Sequence, residues 1–152
     1  MIEKITDKIA EILHDKFPEF VIYDDGKVPQ NFKRPALLIA PNETKHERLS
    51  FDVAKHTTSF TILILLELDD NEVPNFADLR RTAEVVCDAF DTGYIKVDSR
   101  ACKVVSQKMD LNPMEAYIDV AFEYKKNIRP QNTTEIIEKV NVRKEIKNGT
   151  YE

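Results

Sequence analysis

Glycine is scarce in this sequence. Gly26, Gly93 and Gly149 are the only three, and they stand far apart along 152 residues. Loops that cradle a phosphate cluster their glycines so that backbone N–H groups can approach the anion, so Walker and dinucleotide fingerprints are excluded. Cysteine is scarcer still. Cys87 and Cys102 do not form a Cys-x-x-Cys pair, which argues against a disulfide framework and against a zinc ribbon. Both are expected as free thiols buried in the core. Long apolar runs are missing too: the longest, Thr57 to Leu68, has the length of a strand and is too short to span a membrane. Residues Met1 to Lys8 are amphipathic and charged, without the continuous apolar stretch of a signal peptide, so the expected compartment is a cytoplasm. Without secretion, the Asn-x-Thr triplets at Asn42, Asn132 and Asn148 carry no meaning. Basic residues are in deficit, 22 against 27 acidic ones, for a net charge of −5. That balance disfavours a protein that grips nucleic acid by neutralising phosphates.

What is present suits one domain, long enough to bury roughly two thirds of the surface its unfolded chain exposes. In the Thr57–Leu68 run, Phe60, Ile62, Ile64, Leu66 and Leu68 alternate onto one face, as in a central strand. The opposite face changes from Ser59 and Thr61 through Leu63 and Leu65 to Glu67, which implies partial cover. Ile2, Ile5, Ile9, Ile12, Leu13 and Phe17 recur at helical spacing, predicting an amphipathic helix over residues 2–17 that Pro18 closes. Phe20 to Tyr23 reads as a short strand ended by the turn Asp24-Asp25-Gly26, and Ala36 to Ala40 as a second strand. The polar segment Pro41 to Lys55 is expected to carry that strand outward and back as an extended β-arm, with Leu49, Phe51 and Val53 alternating. Asp69-Asp70-Asn71-Glu72 signals a loop. Phe76, Leu79, Ala83, Val86, Cys87 and Phe90 predict a second helix from about Asn75 to Asp91, with Gly93 just past its end.

Tyr94 to Val97 and Lys103 to Met109 alternate as strands, and Leu111-Asn112-Pro113-Met114 turns the chain into the last one. There Ala116, Ile118, Val120, Phe122 and Tyr124 share a face opposite Glu115, Tyr117, Asp119, Glu123 and Lys125. The order predicts an α+β fold: a mostly antiparallel sheet with two helices packed on one face, an extended β-arm and a flexible C-terminal tail. A single domain is expected over residues 1–130, with the tail over 131–152, where Ile136, Ile137 and Val140 would form a short helix or dock on a neighbouring subunit.

No catalytic constellation stands out. Ser50, Ser59, Ser99 and Ser106 lack the sharp elbow or neighbouring base a nucleophile needs. His46 and His56 flank the arm and would meet if it folds back, with Glu47 or Asp52 as acidic neighbours for a metal, while His14 is expected in solvent. Surface histidines in a polar segment are the plainer expectation, so no metal or other cofactor is assigned. Asp24-Asp25 and Asp69-Asp70 are explained by turn chemistry, and Phe60, Phe76, Phe90, Phe122 and Tyr124 by the core. The mixed-charge patch Lys33, Arg34, Arg80 and Arg81 is either a solvated face or a set of cations poised to pair across a subunit boundary.

The layout has a precedent. An amphipathic helix leads into Phe-Pro-Glu-Phe-Val-Ile-Tyr, then Gln30 and the strand Arg-Pro-Ala-Leu-Leu-Ile-Ala, a polar arm, a returning strand and helix Phe76 to Phe90. The chain closes on Ala-Tyr-Ile-Asp-Val-Ala-Phe-Glu-Tyr-Lys-Lys. Over about residues 2–128 this resembles the tail terminator family of tailed bacteriophages, including those of Gram-positive prophages. The departure is Leu111-Asn112-Pro113-Met114 where the family often has an Asp-Gly turn. The resemblance implies a structural virion protein and no enzyme: a homo-oligomeric ring, usually a hexamer, that caps the tail tube, stops its polymerisation and provides the head-joining surface. The implied partners are further copies of itself, the tail tube protein and the head connector or neck protein, with no sequence-specific nucleic acid and no membrane. The implied location is the virion tail, assembled in the host bacterial cytoplasm. Subunit contacts are expected from the arm Asn42 to Lys55, through Lys45, Arg48, Phe51 and Val53, and from the helix positions Arg80, Arg81 and Glu84. The alternatives are another phage neck or head-completion adaptor, or a small metal- or ligand-binding module using the histidines and turn carboxylates.

Overall fold

The structure, a computed structural model, describes residues 1–24 and 28–128. The expected C-terminal tail, and Asp25 and Gly26 of the first turn, lie outside them. Two helices and six strands follow in the order α1 (Ile2–Lys16), β1 (Val21–Tyr23), β2 (Ala36–Arg48), β3 (Val53–Leu65), α2 (Phe76–Asp88), β4 (Tyr94–Val97), β5 (Arg100–Leu111) and β6 (Ala116–Asn127). The strands form one sheet in the order β1-β2-β3-β6-β5-β4. β1 lies parallel to β2, β5 is antiparallel to both β4 and β6, and β2 and β3 are joined by a tight turn as a hairpin. The fold is the expected α+β arrangement on a mostly antiparallel sheet.

Period-two alternation places β3 and β6 at the centre. Phe60, Ile62 and Ile64 of β3 and Ala116, Ile118, Phe122 and Tyr124 of β6 are buried on one face, and both helices lay their apolar stripes in that same core. α1 contributes Ile5, Ile9 and Leu13, spaced one turn apart, and α2 contributes Leu79, Ala83 and Val86. The opposite face is mixed, with Leu38, Leu65 and Ala121 buried on it alongside a polar row. Asn42 Nδ2 donates to Thr61 Oγ1 and Thr61 Oγ1 to Asp119 Oδ1, both at 2.6 Å, so one hydrogen-bonded row crosses β2, β3 and β6.

Local chemistry sets the boundaries. Pro18 cannot continue α1 and holds Phe17 out of helical geometry, at φ −131° and ψ 69°. Asn75 caps α2, its side chain accepting from the Asp78 N–H. Gly93 turns the chain at φ +85°, which other residues rarely adopt. Asp69 closes the loop after β3 by accepting from the N–H groups of Asn71 and Val73. In the Leu111–Met114 turn, Asn112 Oδ1 accepts from the N–H groups of Met114 and Glu115.

Several expectations need correction. β3 ends at Leu65, so Leu68 lies in the loop and is 37% exposed. Ile2 and Phe76 are exposed because each is the first residue of its helix, where no preceding turn holds the side chain against the sheet. The arm is ordered strand for longer than the apolar pattern suggests, since β2 runs to Arg48 and β3 starts at Val53. Leu49 and Phe51 therefore sit in the connecting turn. Cys102 is buried, but Cys87 is only half-buried, at the margin of the α2 stripe. Both are free thiols.

The chain divides into two compact units. The larger comprises Met1–His46 and His56–Tyr124 and contains the core and both helices. The smaller comprises Glu47–Lys55 and, of the described residues, Lys125–Ile128. In it the N–H groups of Leu49 and Ser50 both donate to the Val53 carbonyl, and the Ile128 N–H donates to the Asp52 carbonyl at 2.9 Å.

Candidate functional site

The arm residues singled out from sequence are found on β2 and at the β2–β3 turn. Lys45 is exposed, with its Nζ 3.8 Å from Glu43. Arg48 Nη1 donates to the Phe51 carbonyl at 3.0 Å, and Ser50 Oγ donates to Asp52 Oδ1, so side chains brace the turn. Phe51 is 67% exposed. Val53 is half-buried, and its carbonyl closes the turn.

The helix residues lie on the outward face of α2. Arg80, Arg81 and Glu84 are all exposed, and Arg81 pairs with Asp78 one turn back at 2.7 Å. Such an exposed pair contributes little to stability. Of the mixed-charge patch, Arg34 and Arg81 line one open groove of about 600 Å³ in the larger unit. Lys33 and Arg80 do not line it. Arg34 is held firmly: Nη1 donates to the Leu66 carbonyl at 2.9 Å, and the guanidinium lies over the Phe32 ring, 4.9 Å from its centre. Phe20, Pro35 and Leu66 supply apolar lining, and Glu19 and Glu67 add carboxylates. Among the described residues neither of those two carboxylates makes an ion pair.

Sequence reasoning missed the groove as a unit. Its lining comes from the turn after α1, the segment before β2, the residues just after β3 and the first turns of α2. Only the two arginines carried a signal. A second groove of about 410 Å³ lies between α1 and β4, but Lys4 and Asp98 close on each other there at 2.7 Å and Lys8 and Glu11 at 3.2 Å.

The histidines do meet. His46 stands edge-on to His56 with ring centres 4.3 Å apart, and His56 stacks on Tyr124 at 5.2 Å. Arg100 approaches the same tyrosine, 5.7 Å from its centre. This row spans four strands, with His56 and Tyr124 buried and His46 exposed. Among the described residues no three His, Cys, Asp or Glu side chains come together to hold a metal ion. His14 is exposed, and Asp69 is occupied in its loop. No helix among the described residues is long and apolar enough to cross a membrane.

A family model for phage tail terminator protein matches residues 4–135. The chain belongs to the phage tail terminator family. No curated protein matches the sequence. Membership makes the chain a structural protein of the phage tail, and it directs attention from reaction chemistry to outer surfaces. For a terminator subunit the features of interest are therefore the exposed turn with Phe51 and Arg48, and the groove beside α2.

Proposed function

We propose that this protein assembles into a closed ring, six copies by the family resemblance, that caps the head-proximal end of the tail tube. One face of the ring matches the last tube layer and halts its growth; the other receives the head connector or neck protein. The work is done by shape and surface charge, with no bond made or broken and no cofactor. The observation that carries this reading is the family match over residues 4–135. Two features support it. The exposed α2 residues Arg80, Arg81 and Glu84 and the arm residues Lys45, Arg48, Phe51 and Val53 offer two different patches, as a head-to-tail ring contact requires. The net charge of −5 suits a lumen through which DNA passes without sticking. Assembly takes place in the host bacterial cytoplasm and the finished location is the virion tail.

The test is electron microscopy of the purified protein mixed with tube subunits, alongside light scattering of the protein alone. Rings, and tubes capped and limited in growth at one end, are expected. Tubes that grow unchanged, from a protein that stays monomeric at every concentration, would overturn the reading.

A further inference from the structure

Two surfaces of this chain are chemically complementary. At the β2–β3 turn, Phe51 is 67% exposed beside exposed Leu49, on a backbone tied by the Leu49 and Ser50 N–H bonds to the Val53 carbonyl and by the Arg48 bond to the Phe51 carbonyl. A lone exposed leucine needs no explanation, but an aromatic ring held out on a hydrogen-bonded turn is the kind of anchor that interfaces use. The turn also carries a cation: the Arg48 guanidinium hydrogen-bonds a carbonyl and, among the described residues, meets no carboxylate. The groove beside α2 is mixed in charge: it carries Arg34, and Arg81 paired with Asp78, together with an apolar lining and further carboxylates that can receive such a turn. Its apolar lining is Phe20, Pro35 and Leu66, its two carboxylates without an ion pair are Glu19 and Glu67, and its volume of about 600 Å³ admits a phenyl group. Arg34 is fixed there by the Leu66 carbonyl, so the wall is ordered before anything binds.

We propose that the occupant of this groove is a second copy of the chain, with Phe51 of one copy seated against Phe20, Pro35 and Leu66 of the next and Arg48 paired with Glu19 or Glu67. Turn and groove are different patches, so the contact is head-to-tail: each copy gives one turn and offers one groove, the geometry that closes into rings. The pairing rests on the ring-forming function proposed above and assigns its interface.

A photoreactive benzoylphenylalanine at position 51 of the full chain tests it, with adducts mapped by mass spectrometry in a mixture of isotopically light and heavy protein. Adducts between light and heavy chains on the segments around Phe20, Pro35 or Leu66 are expected. Arg48→Glu should weaken assembly, and Arg48→Glu combined with Glu67→Arg should restore it. Phe51→Ser should weaken it by about tenfold or more. Three results would overturn the pairing while leaving the ring intact: adducts on other segments, adducts within one chain only, or assembly indifferent to Phe51→Ser. A protein that never assembles, alone or with tube subunits, removes the ring and this contact together.

Discussion

The ring of Phe122 on β6 meets that of Phe90, just past α2, edge-on at 5.8 Å, and meets Phe60 of β3 in the same manner at 5.9 Å. All three are fully buried, so this trio joins the centre of the sheet to the end of the second helix. Phe122→Ala should destabilise the protein by about 3–5 kcal/mol through lost burial and an unfilled cavity. Urea unfolding followed by circular dichroism measures this, and a loss below about 1 kcal/mol would mean that the trio does not hold the core.

The start of α2 depends on one side chain. Asn75→Ala removes the acceptor for the Asp78 N–H and should cost about 1 kcal/mol, whereas Asn75→Ser should be close to neutral. Thermal melts of the two variants give the comparison.

On the face of the sheet opposite the helices, Thr61→Val keeps the β-branched shape but breaks both 2.6 Å bonds of the Asn42–Thr61–Asp119 row. A cost of about 1 kcal/mol is expected, at the low end for hydrogen bonds, because Asn42 is exposed and Asp119 half-buried and water can replace the lost partner. Thr61→Ser keeps the hydroxyl and should restore most of the loss.

Asp98 gives an acid-side dependence. The hydrogen bond from Lys4 Nζ and the charge of Lys4 hold its carboxyl below the ordinary value of 3.8. A carboxyl depressed on folding contributes stability that is present above the unfolded value and is lost as pH falls through the folded one. Lys4→Met should therefore flatten the stability profile below about pH 4, with little change in its slope at neutral pH. Parallel unfolding curves from pH 2 to pH 7 check this.

The two thiols should be sluggish. Burial pushes both up from the ordinary value, and at Cys87 the neighbouring Asp88, Asp91 and Glu84 push further. A thiol raised on folding stabilises below the unfolded value and loses that contribution as pH rises through the folded one, so the window lies on the alkaline side. At pH 8, native protein should react slowly with a thiol reagent, Cys102 more slowly than Cys87, and both should react fully in denaturant. Fast native labelling of Cys102 would show that its site opens.

Periodicity carried most of the fold. Ile5, Ile9 and Leu13, or Ile118, Val120 and Phe122, announce their element and their buried face in the sequence alone, because side-chain direction repeats with the backbone. Element ends were harder to read. Phe76 and Leu68 match the apolar pattern of their neighbours, yet the pattern cannot show where helix geometry begins or strand pairing stops. The arm residues and the exposed α2 cations were legible as surface chemistry. The groove was not, because Glu19, Pro35, Leu66 and Arg81 come together only through tertiary packing and share no local spacing. The His46–His56 contact was foreseeable only as a consequence of the hairpin.

The strand order has a kinetic consequence. Thr61 and Asp119 are hydrogen-bonded on adjacent strands although 58 residues separate them, so the middle of the sheet closes around a loop containing α2, β4 and β5. Neither the N-terminal nor the C-terminal half can complete a hydrophobic interior before that long-range pairing forms. Such a topology refolds on the slower side, about milliseconds to seconds, in a single cooperative step. A chain cut between Leu68 and Pro74 should yield two pieces that gain structure only when mixed.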